Sequence, residues 1–302
     1  MPEQLPVVAV VGATASGKSA LALDLAERLG GEVVNTDAMQ LYRGMDIGTA
    51  KLPEAERRGV PHHLLDVLEV TEAASVAEFQ RWGRAAIDDC RSRGVVPVLV
   101  GGSALYTRAV LDHFDFPGTD PDLRARLEAE LDERGPAALH ERLRSVDAEA
   151  AAQVLPSNGR RLVRALEVVE LTGRPFSASL PRLEYAVAGA VQVGVDVDRP
   201  TLDARIARRV DAMWQQGLVE EVRRLAAVGL RDGRTAQRAL GYRQVLGLLD
   251  GTLAEAEARE QTVTGTRRFA RRQDSWFRKD PRVTWLAHDD PELLERALTR
   301  CR

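Results

Sequence analysis

The sequence predicts an α/β fold: a doubly wound parallel sheet with a helical insertion domain and a helical C-terminal region. Three observations predict it. Short, wholly apolar runs alternate with amphipathic helical stretches over the first third of the chain. A strand-free, charged and alanine-rich stretch then interrupts them. Alternation resumes near residue 190 and gives way to a long helical tract. Runs that are apolar on every residue are strands covered on both faces, which is the mark of a parallel sheet.

Val7–Val11 reads as the first buried strand. After Lys18, the residues Ala22, Leu25, Ala26 and Leu29 recur at helical spacing, and Gly30-Gly31 stops that helix. Glu32–Asn35 is a second strand. Ser75 followed by Glu78 forms a capping box that opens a helix running toward Arg93. Val95–Val100 is a third strand, ended by Gly101-Gly102. Phe116-Pro117-Gly118 breaks the pattern, and Asp120-Pro121 supplies an N-cap with proline in the first turn. From there to about Thr172 the pattern is helical. Val191–Val197 returns to the sheet. Asp198-Arg199-Pro200 starts a helical tract that reaches roughly Lys279 and breaks near Gly229–Gly233 and Gly241. Arg282–Leu286 is a last short strand. The expected organisation is therefore a core of residues 1–112 and 186–302 with a helical insertion at 113–185.

Composition narrows the class. The chain has 302 residues, 44% hydrophobic and 29% charged, which suits a globular protein of one large or two modest domains. The net charge of −3 does not announce a nucleic-acid binder, although a basic face can hide within a balanced total. Cys90 and Cys301 show no Cys-x-x-Cys spacing, so the sequence supports neither a disulfide framework nor a zinc module. Met1 to Pro6 lacks a basic leader, and Val7–Val11 is too short for a signal or a span. A cytoplasmic location without membrane attachment is expected, and a monomer is the default.

Gly12-Ala13-Thr14-Ala15-Ser16-Gly17-Lys18-Ser19 satisfies G-x-x-x-x-G-K-[ST] between a strand and a helix. The sheet is thus P-loop NTPase-like. Backbone N–H groups of such a loop converge on phosphate oxygens, Lys18 neutralises phosphate charge, and the Ser19 hydroxyl is placed to hold Mg²⁺. Only three lysines occur, Lys18, Lys51 and Lys279, among many arginines. A lysine at this position points to a need for a compact ammonium. Which phosphate compound the loop holds, ATP or another, is not settled by the motif. Hydrolytic P-loop enzymes commonly end a later strand in an acidic residue. Here Val95–Val100 ends in Gly101-Gly102-Ser103, which weakens an NTPase reading and leaves a small-molecule kinase open. Asp37, just past the second strand, falls on the same crevice and can accept a proton from an attacking group. His62 and His63 show no third ligand along the sequence and read as structural.

A set of ordered motifs resembles the tRNA dimethylallyltransferase (isopentenylpyrophosphate transferase) family. They are the loop in its Gly-Ala-Thr-Ala-Ser-Gly-Lys-Ser form, the stretch Asn35–Lys51, Pro61-His62-His63-Leu64-Leu65-Asp66, and Val100-Gly101-Gly102-Ser103-Ala104-Leu105-Tyr106. Arg160–Glu167, Gly241-Tyr242-Arg243-Gln244, and Arg271-Arg272-Gln273 with Trp276-Phe277 complete the set. The match covers nearly the whole chain. Two positions depart from the commoner wording: Ala38 stands where serine often follows the aspartate, and Ser103 stands where threonine is usual, with its hydroxyl kept. The zinc finger appended to some eukaryotic members is absent, so the resemblance is to the bacterial form.

The resemblance implies an enzyme that transfers a dimethylallyl group from dimethylallyl diphosphate to N6 of adenosine 37 in the tRNA anticodon loop, releasing diphosphate. It implies Asp37, Ser103, Arg205 and Lys18 as catalytic residues, and Mg²⁺ as cofactor. It points to Asp37, Ala38, Met39, Gln40, Ser103, Arg124, Arg160, Arg161, Leu162, Val163, Arg164 and Arg243 as tRNA contacts. Taken alone, Arg205 reads as a solvated helix charge beside Arg208 and Arg209. The arginine-rich C-terminal half offers a basic surface suited to an unpaired RNA loop. The competing readings are a P-loop small-molecule kinase, a prenyltransferase acting on free adenosine nucleotides, and a tRNA-binding protein with a vestigial site.

Overall fold

A computed structural model describes residues 5–179 and 183–301. Residues 1–4, residues 180–182 of the expected insertion and residue 302 lie outside the described residues. In chain order the elements are β1 (Val7–Val11), α1 (Lys18–Leu29), β2 (Gly31–Asn35), β3 (His62–His63), α2 (Val76–Ser92), β4 (Val96–Gly101) and α3 (Ala104–Leu111). They continue with α4 (Pro121–Val146), α5 (Ala148–Gln153), α6 (Gly159–Thr172) and β5 (Ala190–Asp196). The chain ends through α7 (Arg199–Gln215), α8 (Leu218–Ala227), α9 (Tyr242–Leu249), α10 (Glu255–Phe277), β6 (Val283–Ala287) and α11 (Leu293–Arg300). It divides into two compact units, Met1–Leu111 with Tyr185–Arg302, and Asp112–Glu184.

The first unit is built on a six-stranded sheet in the order β3-β2-β4-β1-β5-β6, parallel throughout. β1 lies between β4 and β5 and is buried on every residue. Its side chains alternate between two cores, as the period of a strand requires. Val8 and Val10 pack with Leu21 and Leu25 of α1 and Leu298 of α11 on one face. Val7, Ala9 and Val11 belong to the other core, with Phe79 and Ile87 of α2 and Val110 of α3. The doubly wound parallel sheet read from the apolar runs is the sheet observed. The chain runs from β1 outward to β2, and β4 inserts between them. The carboxyl ends of β1 and β4 therefore open onto a shared crevice, the usual ligand position in such sheets.

The second unit is helical. Leu123, Leu127, Leu139, Leu143, Leu162 and Leu166 form its core. α4 bends at Gly135, whose φ is 75°, and Pro136 follows in the interior of the helix. Glu167 is fully buried between Arg124 and Arg164, at 2.5 and 2.7 Å. Burial alone would raise its carboxyl, but hydrogen bonds from the two arginines outweigh that and hold it below the usual range.

Two elements escape the sequence patterns. α3 follows directly on Gly101-Gly102-Ser103 and is only eight residues long, too short for its periodicity to be read. β3 is two residues long and pairs with Val33 and Val34 of β2. The long C-terminal helical tract also breaks at points beyond the expected Gly229–Gly233 and Gly241. Gly217 separates α7 from α8 with a φ of 96°, and residues 250–254 separate α9 from α10.

Candidate active site

The glycine-rich loop leaves β1 at Gly12 and enters α1 at Lys18. Gly12 has a φ of 144°, and a side chain there would crowd the backbone of Val195 and the Ser16 hydroxyl. Ala15 adopts a left-handed φ of 65° without the freedom of glycine, a conformation costing about 1–2 kcal/mol. Neighbouring elements hold this strained turn. The Gln273 amide of α10 accepts from Thr14 N–H at 2.9 Å and donates to Gly102 O at 2.8 Å. One buried side chain thus bolts the phosphate loop to the Gly101-Gly102 turn after β4. A Cβ on Gly102 would overlap the Gln273 amide and come within 3.6 Å of Lys18 Nζ.

Positive charge converges here. Lys18 Nζ donates to Ala13 O at 3.2 Å. From α7, Arg205 donates to Ser16 O at 3.3 Å and contacts His288 Nδ1 at 3.1 Å. Arg209, one turn further, donates to the Thr14 hydroxyl at 3.3 Å. Burial, then repulsion from Arg209, lowers the Lys18 pKa to about 8, although Asp37 pulls it back up. Burial likewise lowers Arg209. The Ser16 hydroxyl is buried without a hydrogen-bond partner among the described residues; the cavity of about 340 Å³ that Ser16 lines is a separate one, bordered by Asp196, Asp198 and Asp274 and not by Lys18, Arg205 or Asp37. Lys18 and the unpartnered Ser16 hydroxyl of the loop, with Arg209 of α7 beside them, suit a multiply charged anion.

Asp37 faces this charge from the end of β2. The Asn35 side chain fixes its backbone, accepting from Asp37 N–H at 2.8 Å and donating to Asp37 O at 3.0 Å and Leu64 O at 2.9 Å. Asp37 Oδ1 accepts from Met39 N–H at 2.9 Å. The following loop is clamped from beneath. The Glu221 carboxylate accepts from the N–H groups of Asp46, Ile47 and Gly48 at 2.8 to 3.2 Å, and from the Tyr242 hydroxyl at 2.6 Å. Buried Lys51 ties Asp46 to Asp66 at 2.7 and 2.6 Å. Gln40 reaches Thr49 O at 3.1 Å. Ala38, Met39 and Gln40 are therefore presented from a rigid base. Ser103 is half-buried at the start of α3, where its carbonyl accepts from Thr107 N–H at 3.0 Å.

A divalent cation at the loop would find oxygen donors only. Ser19 is exposed in the first turn of α1. Among the described residues no cluster of three His, Cys, Asp or Glu ligands lies at the loop. One hydroxyl with substrate oxygens and water completing the shell suits Mg²⁺, which binds through few protein ligands and keeps waters.

The structure thus brings Lys18, Asp37, Ser103, Arg205 and the loop Gly12–Ser19 to one crevice. In the helical unit, Arg160 is exposed and Arg161 half-buried, while Arg124 and Arg164 are engaged with Glu167. Leu162 and Val163 are core residues of that unit, leaving little of their side chains for a ligand. Arg243 is exposed on α9, as is Trp276 on α10, whereas Phe277 is buried. Reading the sequence by motif passed over Arg209, Gln273 and Glu221 as site residues. Arg209 carries a usable signal, since it repeats Arg205 at helical spacing. Gln273 and Glu221 act through contacts 171 or more residues away in sequence, which no local pattern displays.

The chain is similar to known proteins over nearly its whole length. The family model described as IPP transferase matches residues 40–280. The tRNA dimethylallyltransferase of Nocardioides sp. is 71% identical over 298 residues, covering 99% of this chain and 96% of that protein. The full-length tRNA isopentenylpyrophosphate transferase of Bacillus halodurans is 40% identical with a TM-score of 0.71, covering 99% of this chain and 95% of that one. A eukaryotic dimethylallyltransferase acting on tRNA gives a TM-score of 0.83 at 25% identity, over 98% of this chain and 77% of that one.

Two predictions follow from the charge and the bolt. The Lys18 ammonium leaves the free protein near pH 8, against 10.5 for an ordinary lysine. Between those values the unfolded chain binds more protons, so the free protein gains stability as pH rises there and bears the full burial cost below it. A bound polyanion restores the proton. Binding of a polyanion should therefore take up a proton above pH 8, and kcat/KM for an anionic substrate should fall about tenfold per pH unit there. Steady-state kinetics across pH 7 to about 10 check this, and a flat profile through pH 9.5 refutes it. Gln273→Leu leaves Thr14 N–H and Gly102 C=O unpaired. It should cost on the order of 2 kcal/mol in denaturant unfolding and lower kcat/KM for the donor at least about tenfold. Unchanged stability and kinetics would remove the bolt from the account.

Proposed function

The chain belongs to the IPP transferase family, and from that membership we propose that its crevice joins N6 of adenosine 37 in tRNA to C1 of dimethylallyl diphosphate. The protein is an enzyme, a transferase that places a dimethylallyl group on tRNA. The proposal concerns which atoms react and which residues act. The observation that carries it is the convergence of Lys18, Arg205 and Arg209 on one strained loop, with Asp37 beside them.

In this reaction an N–C bond forms as the bond from C1 to the diphosphate oxygen breaks. Negative charge grows on the departing diphosphate, and electrostatics placed in advance lowers that barrier most. Lys18, the loop N–H groups, Arg205 and Arg209 receive the charge, and the Ser103 hydroxyl is offered to the bridging oxygen. When bound at Ser19, Mg²⁺ supplies further neutralisation of diphosphate oxygens. Asp37 orients the adenine amine and accepts the N6 proton. Its Oδ1 is already fixed by Met39 N–H, which leaves the rest of the carboxylate to the base. β4 ends in Gly101-Gly102-Ser103 rather than in an acid, consistent with holding a diphosphate rather than positioning water for hydrolysis.

The tRNA side is assigned to Asp37–Gln40, Ser103 and Arg243 in the first unit, and to residues 160–164 with Arg124 in the helical unit. An anticodon-loop base turns outward at small unstacking cost. Arg160 and Arg161 have no ion pair among the described residues and serve RNA phosphates. Arg124 and Arg164 shape the helix through Glu167, and Leu162 and Val163 contribute through the backbone. No helix among the described residues is long and apolar enough to cross a membrane. A cytoplasmic monomer accords with a substrate found there.

Anticodon-loop RNA incubated with the protein, Mg²⁺ and dimethylallyl diphosphate should yield an adenosine heavier by one C5H8 unit, without ATP, read by nucleoside mass spectrometry. Asp37→Asn, which keeps the Met39 contact, should lower kcat about 10²–10⁴-fold. Unmodified adenosine across several tRNAs bearing adenine at that position defeats the assignment. Phosphate transfer from ATP to a small acceptor would replace it with a kinase, and modification of free adenosine nucleotides alone would remove the RNA.

A further inference from the structure

Away from this crevice, three chemically different side chains converge that the transfer reaction does not use. Glu32 stands near the amino end of β2, His63 on β3, and Cys90 in the last turn of α2. His63 Nε2 lies 2.6 Å from Glu32 Oε2, and Cys90 Sγ lies 3.6 Å from the same oxygen and 3.7 Å from His63 Nε2. They form the one cluster of three or more metal-ligating side chains among the described residues. Along the chain His63 shows no third ligand and Cys90 no partner. The fold supplies both, because β2 and β3 pair in parallel and α2 packs against β2.

We propose that Glu32, His63 and Cys90 are a zinc site that braces β2, β3 and α2. Thiolate, imidazole and carboxylate together are a zinc donor set, and three protein ligands leave a fourth place for water. In a tetrahedral zinc site the sulfur sits about 3.6 Å from a nitrogen or oxygen ligand, given bonds of about 2.3 and 2.0–2.1 Å. Both sulfur separations already meet that value. The imidazole–carboxylate edge, now a hydrogen bond, must open to about 3.3 Å. On binding, the Cys90 thiol gives its proton to solvent as the Zn–S bond forms. His63 binds through Nε2 with its proton on Nδ1.

One cation, Arg93, lies beside the site, 3.8 Å from Cys90 Sγ, and its charge is offset by Glu32 and Asp89. Arg93 grips Glu32 through two hydrogen bonds of 2.7 Å and pairs with Asp89 at 2.8 Å. That grip orients the carboxylate as an outer partner does for a metal ligand. With a neutral thiol and imidazole, the group of Glu32, Asp89 and Arg93 carries one excess negative charge. Zn²⁺ with loss of the thiol proton brings it to neutrality. Cys90 has no exposed surface, but the His63 side chain is 27% exposed, which gives the ion an approach. The brace reaches the transfer site indirectly, because Leu64 O, next to His63, accepts from the Asn35 amide that holds Asp37.

The test uses the full, tag-free chain stripped of metal and titrated with ZnCl2 and, separately, CoCl2, without substrate. One Zn²⁺ per chain should bind, undiminished by excess Mg²⁺, and should raise the unfolding temperature. Co²⁺ should show a thiolate charge-transfer band in the near ultraviolet. Cys90→Ser should abolish the band, and His63→Gln should weaken Zn²⁺ binding at least about tenfold. The wild-type Co²⁺ spectrum stands even where a variant fails to fold. Absence of that band, substoichiometric zinc, or equal zinc affinity in a folded Cys90→Ser protein overturns the proposal.

Discussion

Lys18 and Arg209 are cations held where water is largely excluded, with Asp37 beside them. Burial depresses both, so the ligand-free crevice is unfavourable by construction. Taking an ammonium and a guanidinium out of water costs free energy that one neighbouring carboxylate only partly returns. On the proposed function, a diphosphate offsets that cost when it binds. The same arrangement would offset charge again as the diphosphate leaves carbon, because donors placed in advance need no reorganisation at that moment.

Much of the first unit reads as the support of this arrangement. β1, buried on both faces, fixes where the loop begins. Ala15 and Gly12 accept unusual backbone conformations there, and Gln273 holds the turn against the end of β4 from the far end of the chain. α7 brings Arg205 and Arg209 to the loop on successive turns. Glu221 fixes the backbone after Asp37 with three N–H groups, so the acceptor side is as rigid as the donor side. Rigid placement of both reactants is what makes a bimolecular step behave as an intramolecular one.

Legibility in the sequence followed the range of the interactions. β1, the phosphate loop and α1 were readable because each depends on neighbours in the chain. So was the start of α2, where Ser75 accepts from Glu78 N–H at 3.4 Å. Asp37 was readable because strand ends in parallel sheets face the ligand. The residue roles offered for Arg205 and Ser103 came from family resemblance, since a single arginine on a helix looks like any solvated charge. Gln273, Arg209 and Glu221 stayed hidden because their partners lie far along the chain. The His63 cluster stayed hidden for the same reason, as 31 residues separate it from Glu32 and 27 from Cys90. α3 was missed because eight residues directly after a glycine pair show little period.

On the proposed function, this crevice cleaves an isoprenoid diphosphate, passing its dimethylallyl group to tRNA and releasing the diphosphate intact. The most direct measurement counts inorganic diphosphate released against dimethylallyl groups gained by tRNA in a single turnover, with ATP absent. The account predicts one diphosphate for each modified adenosine, at equal rates. Transfer without diphosphate release, release of orthophosphate instead, or a strict requirement for ATP would contradict it.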